Sequence, residues 1–372
     1  MKILIAPDSF KNALSSLDVA NSLKKGIEKT STHQIKIQRL SDGGEGAIDI
    51  ILEDNQFKKI TIPVSNPLGK IVEASYAINY NKGIAFIEMA TAAGLGLINH
   101  NERNPLNTTT YGVGELIVDA YKKGIRNIYL SLGGSATNDG GAGILSALGV
   151  EFWGVKNTKL SNSDLKNISE INSDSIKIKD CKFKILVDVN NSLLGKNGAT
   201  NIYASQKGAK KEDFEKLESN LKHFAEIVEK HTGNNYLNLK GTGAAGGIAF
   251  GLKSFFDVEV ISGITEMMKF CDLEKQITDA DIVISGEGSL DSQSINGKLI
   301  SGLSDMCYKH KKPFILVAGI VKKIDINDYF NKGCIAIIPI QDRKQSLEKS
   351  IEKTHKMLEV TGESISDLLS FF

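Results

Sequence analysis

A glycine-rich turn fed by a strand and opening a helix constrains the fold of this 372-residue chain more than any other feature. Asn127-Ile128-Tyr129-Leu130-Ser131-Leu132 is a β-branched and apolar run that predicts a buried strand. It passes through Gly133-Gly134-Ser135-Ala136-Thr137-Asn138-Asp139-Gly140-Gly141 into Ala142-Gly143-Ile144-Leu145-Ser146-Ala147-Leu148, which reads as a helix. Such a turn exposes backbone N–H groups at a helix N-terminus, where the helix dipole favours an anion. Gly133, Gly134, Gly140 and Gly141 allow close backbone approach, and Ser135, Thr137 and Asn138 add side-chain donors around Ala136. Asp139 repels a phosphate unless a divalent cation lies between them, the arrangement that phosphoryl transfer uses. The same turn also reads as a tight strand-to-helix connection with Asn138 or Asp139 as N-cap.

Glycines and acids pair in this way at other strand ends. Asp42-Gly43-Gly44-Glu45-Gly46 follows Ile35-Lys36-Ile37, and Ala6-Pro7-Asp8-Ser9-Phe10-Lys11 follows Ile3-Leu4-Ile5. Gly286-Glu287-Gly288-Ser289-Leu290-Asp291 follows Ile282-Val283-Ile284, with Gln293, Gly297 and Lys298 beyond. Ligands of open α/β sheets bind beyond the carboxyl ends of the strands. Any one of these acids alone reads as a solvated turn or a cap; as a set they point to a shared site.

The order of elements predicts one domain inserted into another. Residues 2–6, 34–40, 281–285, 314–317 and 335–338 read as strands, with helices at 15–29, 295–308 and from 347. Two N-terminal strands cannot form a stable domain alone. Joined to the C-terminal three they match a doubly wound, flavodoxin- or Rossmann-like α/β sheet. The expected domains are 1–60 plus 281–372, and an inserted α/β domain with a mixed sheet at 61–280. Within the insert, strands are expected at 57–64, 71–80, 84–89 and 183–187, with a hairpin at Asn79-Tyr80-Asn81-Lys82-Gly83. Helices are expected at 112–122, from 140, and at 210–230. Residues 155–180, rich in Asn, Ser and Lys, read as a surface excursion, and Trp153 as core or domain-edge packing and not as a nucleotide stacker.

Composition excludes several classes. Hydrophobic residues make up 41% and charged residues 24%, as in ordinary globular proteins, and the formal net charge of +1 argues against nucleic acid or an anionic membrane as partner. The 4 cysteines show no metal or redox spacing, which favours a reducing compartment. No signal segment or membrane-length apolar run is read, so a cytoplasmic location is expected. Gly241-Thr242-Gly243-Ala244-Ala245-Gly246 fits a dinucleotide fingerprint literally, but residues 234–240 make a poor buried strand and no acid ends a strand at the required distance. No Walker A is present, since Gly297-Lys298 precedes leucine.

The chain resembles the bacterial-type (type 1) glycerate kinase family. The resemblance rests on Ile5-Ala6-Pro7-Asp8-Ser9-Phe10-Lys11, Asp42 to Gly46, Phe86-Ile87-Glu88-Met89-Ala90, Gly133 to Gly141 and Asn197-Gly198-Ala199. Gln206-Lys207-Gly208-Ala209, Gly243 to Gly247 and Gly286 to Lys298 complete it, in the family's order. Departures touch loop rigidity and no charged group: Asp188-Val189-Asn190-Asn191-Ser192-Leu193 lacks a usual proline, Ala204-Ser205 replaces Gly-Pro, and Ser41 replaces a common Ala. The resemblance implies ATP-dependent phosphorylation of D-glycerate, a two-domain fold and a site in the cleft between the domains.

Phosphoryl transfer needs phosphates held, charge neutralised and a hydroxyl aligned. The turn at 133–141 is assigned to the phosphates, Lys11 and Lys298 to their charge, and Asp42 and Asp291 to Mg²⁺. Asp188, ending a strand, is the candidate base; a loop-capping role is its alternative. Asp8 joins the catalytic set, and Arg103 and Lys207 are candidates for the substrate carboxylate. A kinase of another small hydroxy acid or sugar acid stays open, as does a non-catalytic sensor of an anionic metabolite. Oligomeric state is not legible in the chain, and a homodimer stays open.

Overall fold

The computed structural model describes residues 1–10, 13–44, 46–291, 299–322, 326–340 and 347–371. In chain order its strands begin with β1 (Lys2–Ile5), β2 (Gln34–Ile37), β3 (Lys58–Ser65), β4 (Ile71–Asn79), β5 (Ile84–Glu88) and β6 (Asn127–Ser131). They continue with β7 (Glu151–Trp153), β8 (Glu170–Asn172), β9 (Lys182–Leu186), β10 (Asp257–Ile261), β11 (Ile282–Leu290), β12 (Phe314–Val321) and β13 (Cys334–Pro339). The chain divides into two compact units, Met1–Asp42 with Ile264–Phe372, and Gly43–Gly263. Relative to the boundaries expected at 60 and 281, residues 43–60 group with the middle of the chain and 264–280 with its ends.

The unit built from both chain ends carries a five-stranded sheet in the order β13-β12-β11-β1-β2, every pairing parallel. This is the doubly wound order that the sequence rhythm implies. Alternation along β1 sorts the core. Ile3 and Ile5 pack with Val19 and Leu23 of the helix Ser16–Glu28 and with Leu358 and Ile365 of the helix Leu347–Leu369. Leu4 and Ala6 pack on the other face with Leu273 and Ile277 of the helix Leu273–Asp279 and Leu303 of the helix Leu299–Lys309. Both faces are covered, as an all-parallel sheet requires.

The middle unit carries a six-stranded mixed sheet, β10-β9-β6-β5-β4-β3. β3, β4 and β5 form an antiparallel meander whose second turn places Gly83 at φ 63°, in keeping with the hairpin signal. β5, β6, β9 and β10 run parallel. β10 escapes the sequence expectation because two of its five residues, Asp257 and Glu259, are charged and exposed at the sheet edge. Residues 155–180 are corrected from a surface excursion: they contain β8 and bury Leu160, Leu165, Ile168 and Ile171 against Leu221, Phe224 and Phe250. Those apolar residues are scattered singly among polar ones, so periodicity hides them. Trp153 is not a core residue, being 51% exposed on β7.

The helices Ser16–Glu28 and Leu347–Leu369 meet backbone to backbone. A Cβ on Gly26 would lie 2.0 Å from the Glu359 carbonyl oxygen, and one on Gly362 would lie 2.3 Å from that of Leu23. Alanine gains about 1 kcal/mol of helix propensity over glycine, yet overpacking costs about 1–3 kcal/mol, and an overlap this deep puts the cost at the upper end. Gly26→Ala should therefore lower the thermal midpoint, at roughly 2–4 °C per kcal/mol for a unit of this size. A scanning-calorimetry midpoint at or above wild type would show that the contact is not limiting.

Candidate active site

Parallel register brings several strand ends to one edge of the six-stranded sheet. Glu88 pairs with Ser131, Ser131 with Leu186, and Leu186 with Ile261. The segments that follow, at Met89, Leu132 to Gly134, Val187-Asp188 and Ser262, leave the sheet side by side. Asp188 is exposed, and Ser262 Oγ donates to its Oδ1 at 2.8 Å. Glu88 is buried and accepts from the N–H groups of Gly46 (2.9 Å) and Ile48 (3.2 Å) at the start of the helix Ala47–Ile51. It thereby anchors Gly46 on this edge, where Gly43 packs against Leu186. Glu88 was not among the expected site residues; its signal was a charged residue closing an apolar strand.

The turn after β6 has an open half and a closed half. Gly134 is exposed at φ 73°, Gly133 is half-buried, and the N–H groups of Gly133, Gly134 and Ser135 have no acceptor among the described residues. Successive N–H groups around a left-handed residue make an anion-binding concavity. From Ala136 onward the chain is buried and several of its groups are used internally, although Thr137 Oγ1 has no partner among the described residues. Ala136 N–H donates to Ala93 O, Gly140 N–H to Gly246 O and Gly141 N–H to Asp139 Oδ1. Asn138 Oδ1 accepts from Asn162 Nδ2 at 3.0 Å. The cradle expected over the whole turn thus contracts to Gly133, Gly134 and Ser135, while Ala136, Thr137, Asn138, Gly140 and Gly141 support it from beneath. The fingerprint-like glycines serve that support, since a Cβ on Gly246 would lie 2.2 Å from Thr137 O.

Asp139 turns inward, two residues before the N-cap Gly141, and gathers donors from two segments. Its Oδ2 accepts from Thr110 N–H (2.8 Å), Thr110 Oγ1 (2.7 Å) and Gly143 N–H (3.3 Å). Burial raises its pKa, opposed by these donors. Lys207 is 2% exposed and donates from Nζ to Ser135 Oγ and Thr137 O, both at 2.7 Å. Burial lowers its pKa to about 7, against the pull of Asp139. Lys207 is therefore corrected as a carboxylate clamp, because its ammonium faces the interior of the turn. Arg103, the other candidate, donates from Nη2 to Leu95 O at 3.3 Å, and Leu95 N–H donates to Gly134 O at 2.9 Å.

The unit made of the chain ends gathers its own acids beyond its strands. Asp8 is half-buried after β1, with its N–H on Gly286 O at 2.8 Å and its Oδ1 accepting from Ser9 N–H at 2.6 Å. Asp291 follows β11 and pairs with Lys322 at 3.4 Å. Asp42 is exposed beyond β2. Lys11 and Lys298 lie outside the described residues. Among the described residues no group of three His, Cys, Asp or Glu converges as a resident metal site.

Open α/β sheets bind their ligands beyond the carboxyl edges of parallel strands, which is where these loops lie. The comparisons supply the class. The model of the glycerate kinase family matches residues 3–370. Glycerate 2-kinase of Escherichia coli K12 is 40% identical over 86% of this chain and 85% of its own length. Glycerate kinase of Halalkalibacterium halodurans is 35% identical over 99% of this chain and 98% of its own. A crystal structure from Salmonella typhimurium LT2, provisionally named glycerate kinase 2, superposes with a TM-score of 0.82 at 33% identity, covering 100% of this chain and 98% of that one. The chain belongs to the glycerate kinase family, and so to the kinases. Among the described residues no helix is long and apolar enough to cross a membrane.

The geometry makes Asp139 a structural anchor. Asp139→Ala would strand the Thr110, Gly141 and Gly143 donors in a dry interior beside the Lys207 ammonium. Removing one partner of a buried ionic network costs about 3–5 kcal/mol, so urea unfolding followed by circular dichroism should show a large loss of stability. Stability within about 1 kcal/mol of wild type, below the usual cost of an orphaned buried donor, would contradict this role.

Proposed function

We propose that this chain transfers the γ-phosphoryl group of ATP to the C2 hydroxyl of D-glycerate, giving 2-phosphoglycerate and ADP. The observation that carries the reading is the turn at 133–135, whose N–H groups have no acceptor among the described residues, on the same sheet edge as Asp188. The names of the relatives supply the substrate. Such transfers depend mainly on positioning and electrostatics. Gly133 and Gly134 N–H groups hold phosphate oxygens. Asp188, steadied by Ser262, orients the hydroxyl and takes its proton as the oxygen attacks phosphorus.

Arg103, joined to the turn through Leu95, anchors the glycerate carboxylate. A clamp on C1 fixes the adjacent C2 oxygen more tightly than the freely rotating C3 oxygen, which favours attack from C2. Lys11 and Lys298 balance phosphate charge. Mg²⁺ enters with ATP; Asp42 and Asp291 offer the hard carboxylate oxygens it prefers, and it needs only one or two of them besides phosphate and water. Asp8 completes the acidic set, and the reaction takes place in the cytoplasm.

A coupled assay of ADP release should show turnover with D-glycerate well above L-glycerate and above other small hydroxy acids, and phosphorus NMR should place the new ester on C2. Absence of any acid-dependent ADP release would overturn the reading, and an ester on C3 would overturn the C2 assignment. Asp188→Asn keeps the size of the side chain but removes a proton acceptor, so turnover should fall by roughly 10²-fold or more, with KM for ATP little changed. Restoration of the rate by excess Mg²⁺ would instead make Asp188 a metal ligand.

A further inference from the structure

We infer that Lys207 is a positioning residue for the transfer: by donating to Ser135 Oγ, its ammonium leaves the Ser135 hydroxyl hydrogen to an oxygen of the anion bound over Gly133 and Gly134. This inference rests on the reading of that turn as the phosphate site. An ammonium has no lone pair and can only donate. The Lys207–Ser135 hydrogen bond at 2.7 Å therefore uses an acceptor site on the serine oxygen, and the serine's own hydrogen must go elsewhere. Among the described residues no acceptor takes it, although Ser135 is only 7% exposed. The same residue's N–H is also without an acceptor there, so Ser135 offers two unspent donors beside Gly134.

The surroundings pull the amine both ways, and burial, the stronger influence, lowers its pKa to about 7. Lys207 Nζ also donates to Thr137 O at 2.7 Å, which fixes it between two oxygens of the turn. The charge that acts on it is Asp139, which attracts it; Arg103 comes near through its backbone, whose carbonyl oxygen would be 2.3 Å from a Cβ on the neighbouring Gly208, while its guanidinium donates to Leu95 O. Burial works against the charge, and a bound polyphosphate works for it. Once neutral, the amine gains a lone pair, can accept from Ser135, and would turn that hydrogen away from the ligand.

A double-mutant cycle on the full chain tests the inference through kcat/KM for ATP. Lys207→Met and Ser135→Ala should each lower it by roughly 10–100-fold, the scale of a lost hydrogen bond to a charged group. The double variant should be no worse than Ser135→Ala alone, because without the hydroxyl there is no donor left for Lys207 to orient. Losses that multiply, or a silent Ser135→Ala, would overturn the inference. Should Lys207→Met fail to fold, the pH profile decides. Wild type should lose kcat/KM for ATP as pH rises through the titration of the ammonium, and Ser135→Ala should lack that limb. Identical profiles would overturn the inference. A folded Gly134→Val variant with normal kcat/KM would mark a different failure, that of the turn as the phosphate site, because a β-branched residue at a left-handed exposed position blocks backbone approach.

Discussion

The local structure of the middle unit depends on satisfying one carboxylate withdrawn from water. Asp139 is fully buried, and a charge in that position is tolerable only when donors surround it. Its oxygens draw in Thr110, the residue before the helix Tyr111–Lys122, and the first turn of the helix Ala142–Ala147. Both helix N-termini thus face the same negative charge, which their dipoles favour. With Lys207 close enough to feel its pull, the carboxylate fixes where the turn after β6 must run. Gly133 and Gly134 remain outside because the residues after them are committed inside.

This division of labour explains why a turn so rich in donors exposes so few of them. The buried half supplies rigidity, and the open half supplies unspent N–H groups. Glycines at 246 and 247 let a neighbouring segment approach the buried half within backbone contact, which removes room for rearrangement. A preorganised donor set of that kind costs little to reorganise when charge develops on a ligand.

The sequence made the sheets legible because their strands are β-branched runs ending at glycine and acid. The discontinuous unit was legible from incompleteness: two strands at one end of the chain lacked partners that three at the other end could provide. β10 was not, since its charged residues masked its alternation. At the site, the turn and Asp188 were visible as residue types at strand ends. Asp139 is not the N-cap of the helix after it, which is Gly141; it turns inward and accepts from Thr110, Gly141 and Gly143 instead of facing a phosphate. Lys207 was named, but its role was hidden, because its hydrogen-bond partner Ser135 lies 72 positions earlier. A lysine in a polar segment gives no local sign that it is buried. Glu88 was hidden for the same reason, its cap being formed with Gly46, 42 positions away.

The central position of β1 has a consequence for the order in which this protein forms. β1 lies between β2 and β11, and residue 8 hydrogen-bonds to residue 286. During translation the first strands emerge long before β11 exists; at ribosomal speeds the gap is roughly 15–60 s. The contiguous unit can complete itself within that interval, whereas Ile3, Leu4 and Ile5 wait with β2 as their sole sheet partner, too little for a stable fold. Until then β1 is an apolar strand with an open side, the type of surface that chaperones shield and that aggregation exploits. A chain cut short before β11 would lose more than its missing residues, since its first strands could never be enclosed.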